Sequence, residues 1–492
     1  MAALNPLLLL AALFSIAASA QQALEAPGLV PGAQFGAALA GSASCTGSGV
    51  ESVAVGAPHG TPDAPGPGAV VRFNGAALGS TEWTYLRTVA SPTGLDGDRF
   101  GASLDVNFCE FTGWLVGAPG AGQAFHYRGS LSGSGERTRL DGASAGTGSE
   151  FGHSVSGTGG SLVVGAPGAA AGAGRVLTFP EYGTGPGPAV VAPQQTLTPS
   201  HTADRRFGAS LDASDGDTVL PGGFNRRRLY VGAPDGVAGA VYVFVMTGQP
   251  STVTWTEVAR IVGPPGFGTA LSSNGRLLAV SSPQTNEVYV YEESPAGTWT
   301  NSQILAAPPS VPTGQFGADG VALLPAGGAA YHIIASAPSA PHGPVAFLSS
   351  DMSPQTLPFY AASPSPNYGM VASWSVNTFR FAVGDPAAGG TGAAWTGDAS
   401  LLPVASEPPP SQTALAVRAV PLPAHQTVTL RVMTAEPARL LVADALGRTV
   451  WQGAAAGSAD LVLDTSHWAT GVYLVRMDTD HERATGRIVI AR

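Results

Sequence analysis

Residues 207–244 carry the reading that decides the fold: Phe207-Gly208, then Arg228-Leu229-Tyr230-Val231-Gly232-Ala233-Pro234, then Gly239-Ala240-Val241-Tyr242-Val243-Phe244. The two apolar runs are short, rich in β-branched and aromatic residues and bounded by Gly and Pro, so they read as strands. Pro234 has no N–H to give to a ladder and ends the first run, while the Gly and Ala before it let another backbone approach. The same landmarks recur on both sides. Phe-Gly returns at Phe35, Phe100, Phe151, Phe267 and Phe316, with Tyr368-Gly369 as a seventh copy, at intervals of 49 to 65 residues. Apolar runs follow, closing at Pro58, Pro119, Pro167, Pro283, Pro338 and Pro386; Gly-Ala-Pro is strict in the first four units and varies in the last three. The third segment, Gly-x-Val-x-x-aromatic, is repeated at Gly68 to Phe73 and Gly174 to Phe179, and stretches opening at Trp83, Trp255 and Trp299 suggest a fourth strand.

Seven units of four strands, with no helix-period pattern to cover them, best protect their edges by closing into a ring. The expectation is an all-β chain: a seven-bladed β-propeller over residues 21–404, followed by a small C-terminal β-sandwich. The seventh unit runs into Ser406-Glu407-Pro408-Pro409-Pro410 before a fourth strand of its own. Residues 22–30 stand where every other unit is preceded by a fourth strand, so they are expected to complete the last sheet.

Composition bounds the function. Gly and Pro number 66 and 41 of 492 residues, yet apolar residues make up 44 %, enough for a packed core. The net charge is −10, and all 23 basic residues are Arg. A mildly acidic chain with scattered Arg lacks the basic stripe of a nucleic-acid binder. Leu7 to Ala20 is an apolar stretch closing on Ala18, Ser19 and Ala20, so residues 1–20 read as a cleaved secretory signal, too short to span a bilayer. No other long apolar run follows, and the product is expected to be exported as a monomer without a membrane span.

The paired landmarks resemble the FG-GAP repeats that build the propeller head of integrin α subunits and many bacterial surface proteins. The resemblance implies oxygen-ligated calcium in some hairpin loops. Here unit four offers Asp212, Asp215 and Asp217 around Gly216 and unit two offers Asp105, Asn107 and Glu110; the expectation is one weak calcium site in unit four, and no other cofactor. Cys45 and Cys109 fall in the same hairpin loop of adjacent units, so an exported chain would join them as a disulfide, with two unrelated buried thiols as the alternative. Such a bridge closes a loop worth roughly 4 kcal/mol in the chain-entropy model. Partners of this family bind the ring end where the loops before Phe-Gly and after Gly-Ala-Pro converge. On this chain that end includes His59, Asp63, Asp96, Asp98, Arg99, Asp204, Arg205, Arg206 and Asp235.

Composition changes at residues 405–411, a Pro-rich linker. Residues 412–492 hold alternating strands and a hairpin turn, Asp444-Ala445-Leu446-Gly447-Arg448. These residues resemble the type A C-terminal sorting domain of the type IX secretion system. The matching positions are Pro421, Pro423, Asp444, Gly447, Arg448, Asp464, Gly471, Tyr473 and Arg476. The resemblance implies inner-membrane export, outer-membrane passage through the type IX machinery, and tail removal by its sorting peptidase.

Catalytic signals are sparse. Gly142-Ala143-Ser144-Ala145-Gly146 matches G-x-S-x-G without the strand, turn and helix that a nucleophile elbow needs. The nine His are scattered, and Arg226-Arg227-Arg228 reads as a solvated loop run. The expectation is a non-catalytic binding or adhesion protein for an extracellular protein or glycan. The alternatives are an enzyme acting on an extracellular polymer and a purely structural envelope component.

Overall fold

The computed structural model describes residues 21–398 and 416–490, apart from 43–51, 59, 62–63, 76–81, 108–112, 129–136, 159, 182–189, 220–224, 249–251, 295–296, 310, 326–330, 338–344, 348–353, 357–369, 374–379, 421–426, 434–436, 445–447, 456–458 and 480–482. The expected signal segment, the linker, Cys45, Cys109, His59, Asp63, Pro421, Pro423 and Gly447 lie outside the described residues. The chain divides into two compact units, Met1–Val404 and Ala405–Arg492.

The first unit is built from successive antiparallel sheets, numbered here in chain order. Sheet one contains Ala38–Ser42, Ser52–Ala57, Ala69–Gly75 and Trp83–Ala90 in that spatial order. Sheets two to six repeat the order, starting at Ser103–Asn107, Val155–Thr158, Ser210–Val219, Leu271–Ser273 and Val321–Pro325. Sheet two gains a fifth, parallel strand, Val190–Val191. Sheet seven takes Met370–Ser373, Arg380–Asp385 and Ala393–Asp398 and is completed by Gln21–Ala23, antiparallel to Ala393–Asp398. The N-terminal strand thus occupies the place the sequence assigned to it. The first strand of each sheet lies beside the first strand of the next, and Met370–Ser373 returns to Ala38–Ser42.

The landmarks are the contacts between and within these sheets. Phe35, Phe100, Phe151, Phe207, Phe267 and Phe316 are all buried. Most meet third-strand aromatics edge-on, as in Phe100 with Tyr127, Phe151 with Phe179 and Phe207 with Phe244, which explains the aromatic that closes the third segment. The strands leading to Pro are buried along their full length, as expected of strands covered on both faces. Within a unit the Phe-Gly glycine donates its N–H to the pre-Pro carbonyl, as Gly101 to Gly117 at 2.9 Å and Gly208 to Gly232 at 2.9 Å. Between units the approach is closer still. A Cβ on Gly56, Gly117, Gly165 or Gly232 would lie 2.0 to 2.2 Å from the carbonyl oxygen of the next unit's Phe-Gly glycine.

The second unit has a three-stranded sheet, Ala416–Val420, Thr427–Met433 and Ala459–Asp464, and a four-stranded sheet, Thr449–Ala455, Ala438–Ala443, Gly471–Asp478 and Arg483–Ile490. Val428, Leu430 and Leu463 from the first and Val442, Val475 and Ile488 from the second share one core. Alternation places every second residue inward, as the period-2 pattern in the sequence requires.

One expectation is corrected here. Arg228 does not lie in a solvated loop: it sits in the strand Asn225–Ala233, buried, and pairs with Glu293 of sheet five. Ser210–Val219 likewise runs as a strand, with Asp212 opposite Tyr230 and Asp215 opposite Arg227. Asp212 and Asp215 stand on extended backbone, and the pairing is interrupted between Asp215 and Val219, the stretch that holds Asp217. The Gly142 to Gly146 stretch is a single 3₁₀ turn with Ala145 buried, and it holds no nucleophile elbow.

Candidate functional site

The loops before Phe-Gly and after Gly-Ala-Pro pack on each other in the first unit. Gly120 N–H donates to the Asp98 carbonyl at 3.1 Å, Gly168 N–H to Ser149 at 3.0 Å, and Arg205 N–H to Asp235 at 3.0 Å. The sequence-derived candidates on these loops divide into two groups.

Asp98 and Asp204 are internal. The Asp98 carboxylate accepts from the Ser91 hydroxyl at 2.9 Å, the Leu95 N–H at 3.2 Å and the Thr93 hydroxyl, so it organises its own loop. Asp204 accepts a two-pronged bond from Arg260, 2.7 Å at each oxygen, and a third from the Tyr242 hydroxyl at 2.6 Å. His201 Nδ1 lies 3.3 Å from the same carboxylate. Burial works to raise the Asp204 pKa, but the bonds from Arg260 and Tyr242 outweigh it and hold the carboxyl below its ordinary range. Both oxygens of Asp204 are engaged, and the three bonds to Asp98 all converge on its Oδ2.

Asp96, Arg99, Arg205 and Asp235 are exposed, and Arg206 is half-exposed. Arg206 reaches the Glu150 carboxylate at 3.4 Å and that of Asp235 at 3.9 Å, while His153 Nδ1 lies 3.7 Å from the same Glu150 oxygen. Burial first, then the charges of Arg206 and Arg99, hold His153 below its ordinary pKa against the pull of Glu150. Glu150 and His153 were missed in the sequence because they carry no motif; their position beside a Phe-Gly pair was the available signal. Gln34, Arg99, Glu150 and Arg206 all immediately precede the Phe of that pair, and all hold a left-handed backbone at φ 56° to 57°. Unit five has Gly266 there, at φ 80°.

A second polar system joins the first strands. Asp105 of sheet two accepts from the Ser156 hydroxyl at 3.1 Å and the Gly157 N–H at 2.8 Å of sheet three, and Ser156 in turn accepts from the Ala213 N–H of sheet four at 3.0 Å. Burial pushes the Asp105 carboxyl up to about 7, with Asp212 adding to the rise, and pushes Asp212 up to about 6 against hydrogen bonds from Ser273. Asp212 thus serves the junction of sheets four and five.

In the second unit the Asp444 carboxylate closes the turn to Arg448: Oδ1 accepts the Arg448 N–H at 3.0 Å and Oδ2 accepts its Nε at 2.8 Å. Asp464 accepts from the Ser466 N–H at 2.8 Å, and Arg476 donates to Asp478 at 2.7 Å. Buried Tyr473 donates its hydroxyl to the Ala469 carbonyl at 2.8 Å and packs on Trp468, while Gly471 opens its strand.

Residues 419–491 match the family model described as the secretion system C-terminal sorting domain. No curated protein matches the chain. Among solved structures, a protein from Lactobacillus plantarum is 14 % identical with a TM-score of 0.37, over 63 % of this chain and 80 % of its own. No helix among the described residues is long and apolar enough to cross a membrane. The C-terminal unit carries a type IX secretion sorting domain, and the chain is exported to the cell surface or the extracellular space.

Proposed function

We propose that the protein is a surface-delivered, non-catalytic binding or adhesion protein. In this reading the seven sheets form a seven-bladed propeller of FG-GAP type that serves as the interaction platform. The C-terminal unit, a small β-sandwich, is the delivery signal read by the type IX machinery and its sorting peptidase. The observation that carries the reading is the loop end of the first unit, where buried Asp98 and Asp204 fix the loops while Arg99, Arg205, Arg206 and Asp235 extend outward. A rigid scaffold presenting charged side chains on short loops is the arrangement from which binding surfaces are built.

The test is saturable binding of the purified full chain to the surface and extracellular polymers of the cells that make it, with bound polymer analysed for cleavage. Saturable binding without cleavage supports the reading. Cleavage would replace it with an enzyme acting on the polymer, and absence of any binding would leave a structural envelope component.

A further inference from the structure

We infer that Asn274 is a self-modifying site: the turn that holds it promotes conversion of its carboxamide to an aspartyl or isoaspartyl group without an enzyme, marking each chain with a negative charge as it ages. Asn274 stands at the opposite end of its sheet's first strand from the Phe-Gly loops, outside the interaction platform.

The chain has two Asn-Gly pairs, Asn74-Gly75 and Asn274-Gly275. In such a pair the backbone nitrogen of the glycine can attack the Asn Cγ, because no side chain shields it. The structure treats the two in opposite ways. Asn274 opens the turn between the strands Leu271–Ser273 and Leu277–Ser282 of sheet five, and Gly275 holds φ 90°. Asn274 Oδ1 accepts the Arg276 N–H at 3.2 Å and the Leu277 N–H at 2.9 Å, while the Asn274 N–H donates to the Leu277 carbonyl at 3.2 Å. An oxygen that reaches the amides two and three residues ahead folds the carboxamide forward over the Gly275 peptide, which carries Cγ toward the Gly275 nitrogen. Gly275 is accordingly buried, although Asn274 and Arg276 on either side of it are exposed.

The two N–H groups do more than hold the side chain. Attack on Cγ turns Oδ1 into an oxyanion, and donors already aimed at that atom stabilise the charge as it develops. The Gly275 nitrogen gives its proton to water and bonds to Cγ; the tetrahedral centre then expels the side-chain nitrogen as ammonia and leaves a cyclic imide. Water opens the imide at either carbonyl to give aspartate or isoaspartate, with no oxidant or reductant. The Arg276 guanidinium is engaged elsewhere, 3.2 Å from Glu292, so the donor this residue supplies to the carboxamide is its backbone N–H.

Asn74 is arranged against the same reaction. It lies inside the strand Ala69–Gly75, paired with Ser52 on one side and Thr84 on the other. Its Oδ1 accepts the Ser52 hydroxyl at 2.9 Å, which draws the half-buried carboxamide sideways toward the neighbouring strand rather than forward over Gly75.

The test incubates the full chain at neutral pH, folded and in guanidinium chloride, and follows conversion at Asn274 and Asn74 by peptide mass spectrometry and isoaspartate detection. In denaturant the two pairs are expected to convert at similar rates. Folding is expected to speed Asn274 about tenfold and to slow Asn74. Arg276→Pro removes one of the two donors and is expected to slow Asn274 about tenfold, whereas Arg276→Ala keeps the N–H and is expected to convert like the wild type. Slower conversion of Asn274 in the folded wild type than in denaturant would show that the turn protects the carboxamide and would overturn the assignment. Equal rates for the two Arg276 variants would overturn the role of the backbone donors.

Discussion

Gly384 and Gly36 meet across the junction of the seventh and first sheets so closely that a Cβ on Gly384 would lie 1.9 Å from the Gly36 carbonyl oxygen. The obstacle is backbone, which cannot swing aside. Gly384→Ala is therefore expected to cost about 2–4 kcal/mol in chemical denaturation. Gly94→Ala, at a site with nothing within 4 Å and φ of 66°, is expected to cost only about 1–2 kcal/mol. Equal losses would mean that the junction relaxes.

Asp204 holds Arg260 and Tyr242 with three short bonds. Asp204→Ala is expected to destabilise the first unit by about 2–3 kcal/mol, because two polar partners lose their acceptor. Its lowered pKa means the stabilisation is present above the ordinary carboxylate range and is lost as pH falls below it. Urea midpoints of variant and wild type should accordingly converge under strong acid.

Asp212 has the opposite sign. Its folded-state pKa of about 6 lies above the ordinary 3.8, so the fold prefers the protonated form and loses stability as pH rises from about 4 to 6. Asp212→Asn, which stays neutral, should gain on the wild type across that window by about 3 kcal/mol and level off above it. A constant difference from pH 4 to 8 would show that the carboxyl is ionised throughout.

Gln22 grips the backbone of Trp83, accepting its N–H at 2.8 Å and donating to its carbonyl at 3.1 Å; Gln195 grips Trp255 in the same way, at 2.8 and 2.9 Å. Gln22→Ala is expected to cost about 1–2 kcal/mol and to speed amide exchange at Trp83 before the other sheets are affected. Unchanged exchange would make the grip incidental.

The sorting domain fixes the destination. Removal of residues 419–491 is expected to leave the chain inside the outer membrane, and cell fractionation with immunoblotting checks it. Delivery of the truncated chain to the surface would require a second signal.

Strands were legible because burial on both faces writes itself as short apolar runs, and glycines at backbone contacts repeat with the unit. The N-terminal strand was legible because the seventh unit lacked one. Side-chain partners were not. Asp98 and Asp204 look in the sequence like Asp96 and Asp235, since an acid in a Gly-rich loop does not reveal whether donors surround it. Arg228 had the composition of a solvated run, and only its pairing across to Glu293 buries it. Asp105, Ser156 and Ala213 sit at spacings that no motif encodes, because their contact passes between sheets.

The strand Gln21–Ala23 joins a sheet whose other strands lie more than 340 residues away, yet Phe35 bridges Gly392 as Phe100 bridges Gly68 and Phe207 bridges Gly174. The meeting of the two ends is thus made like the internal junctions and has no special chemistry. A circular permutant with its break moved to another junction, and the old one spliced by a short linker, should keep the same native state. The order of the sheets along the chain is then set by neighbour contacts that do not depend on which junction the backbone leaves open.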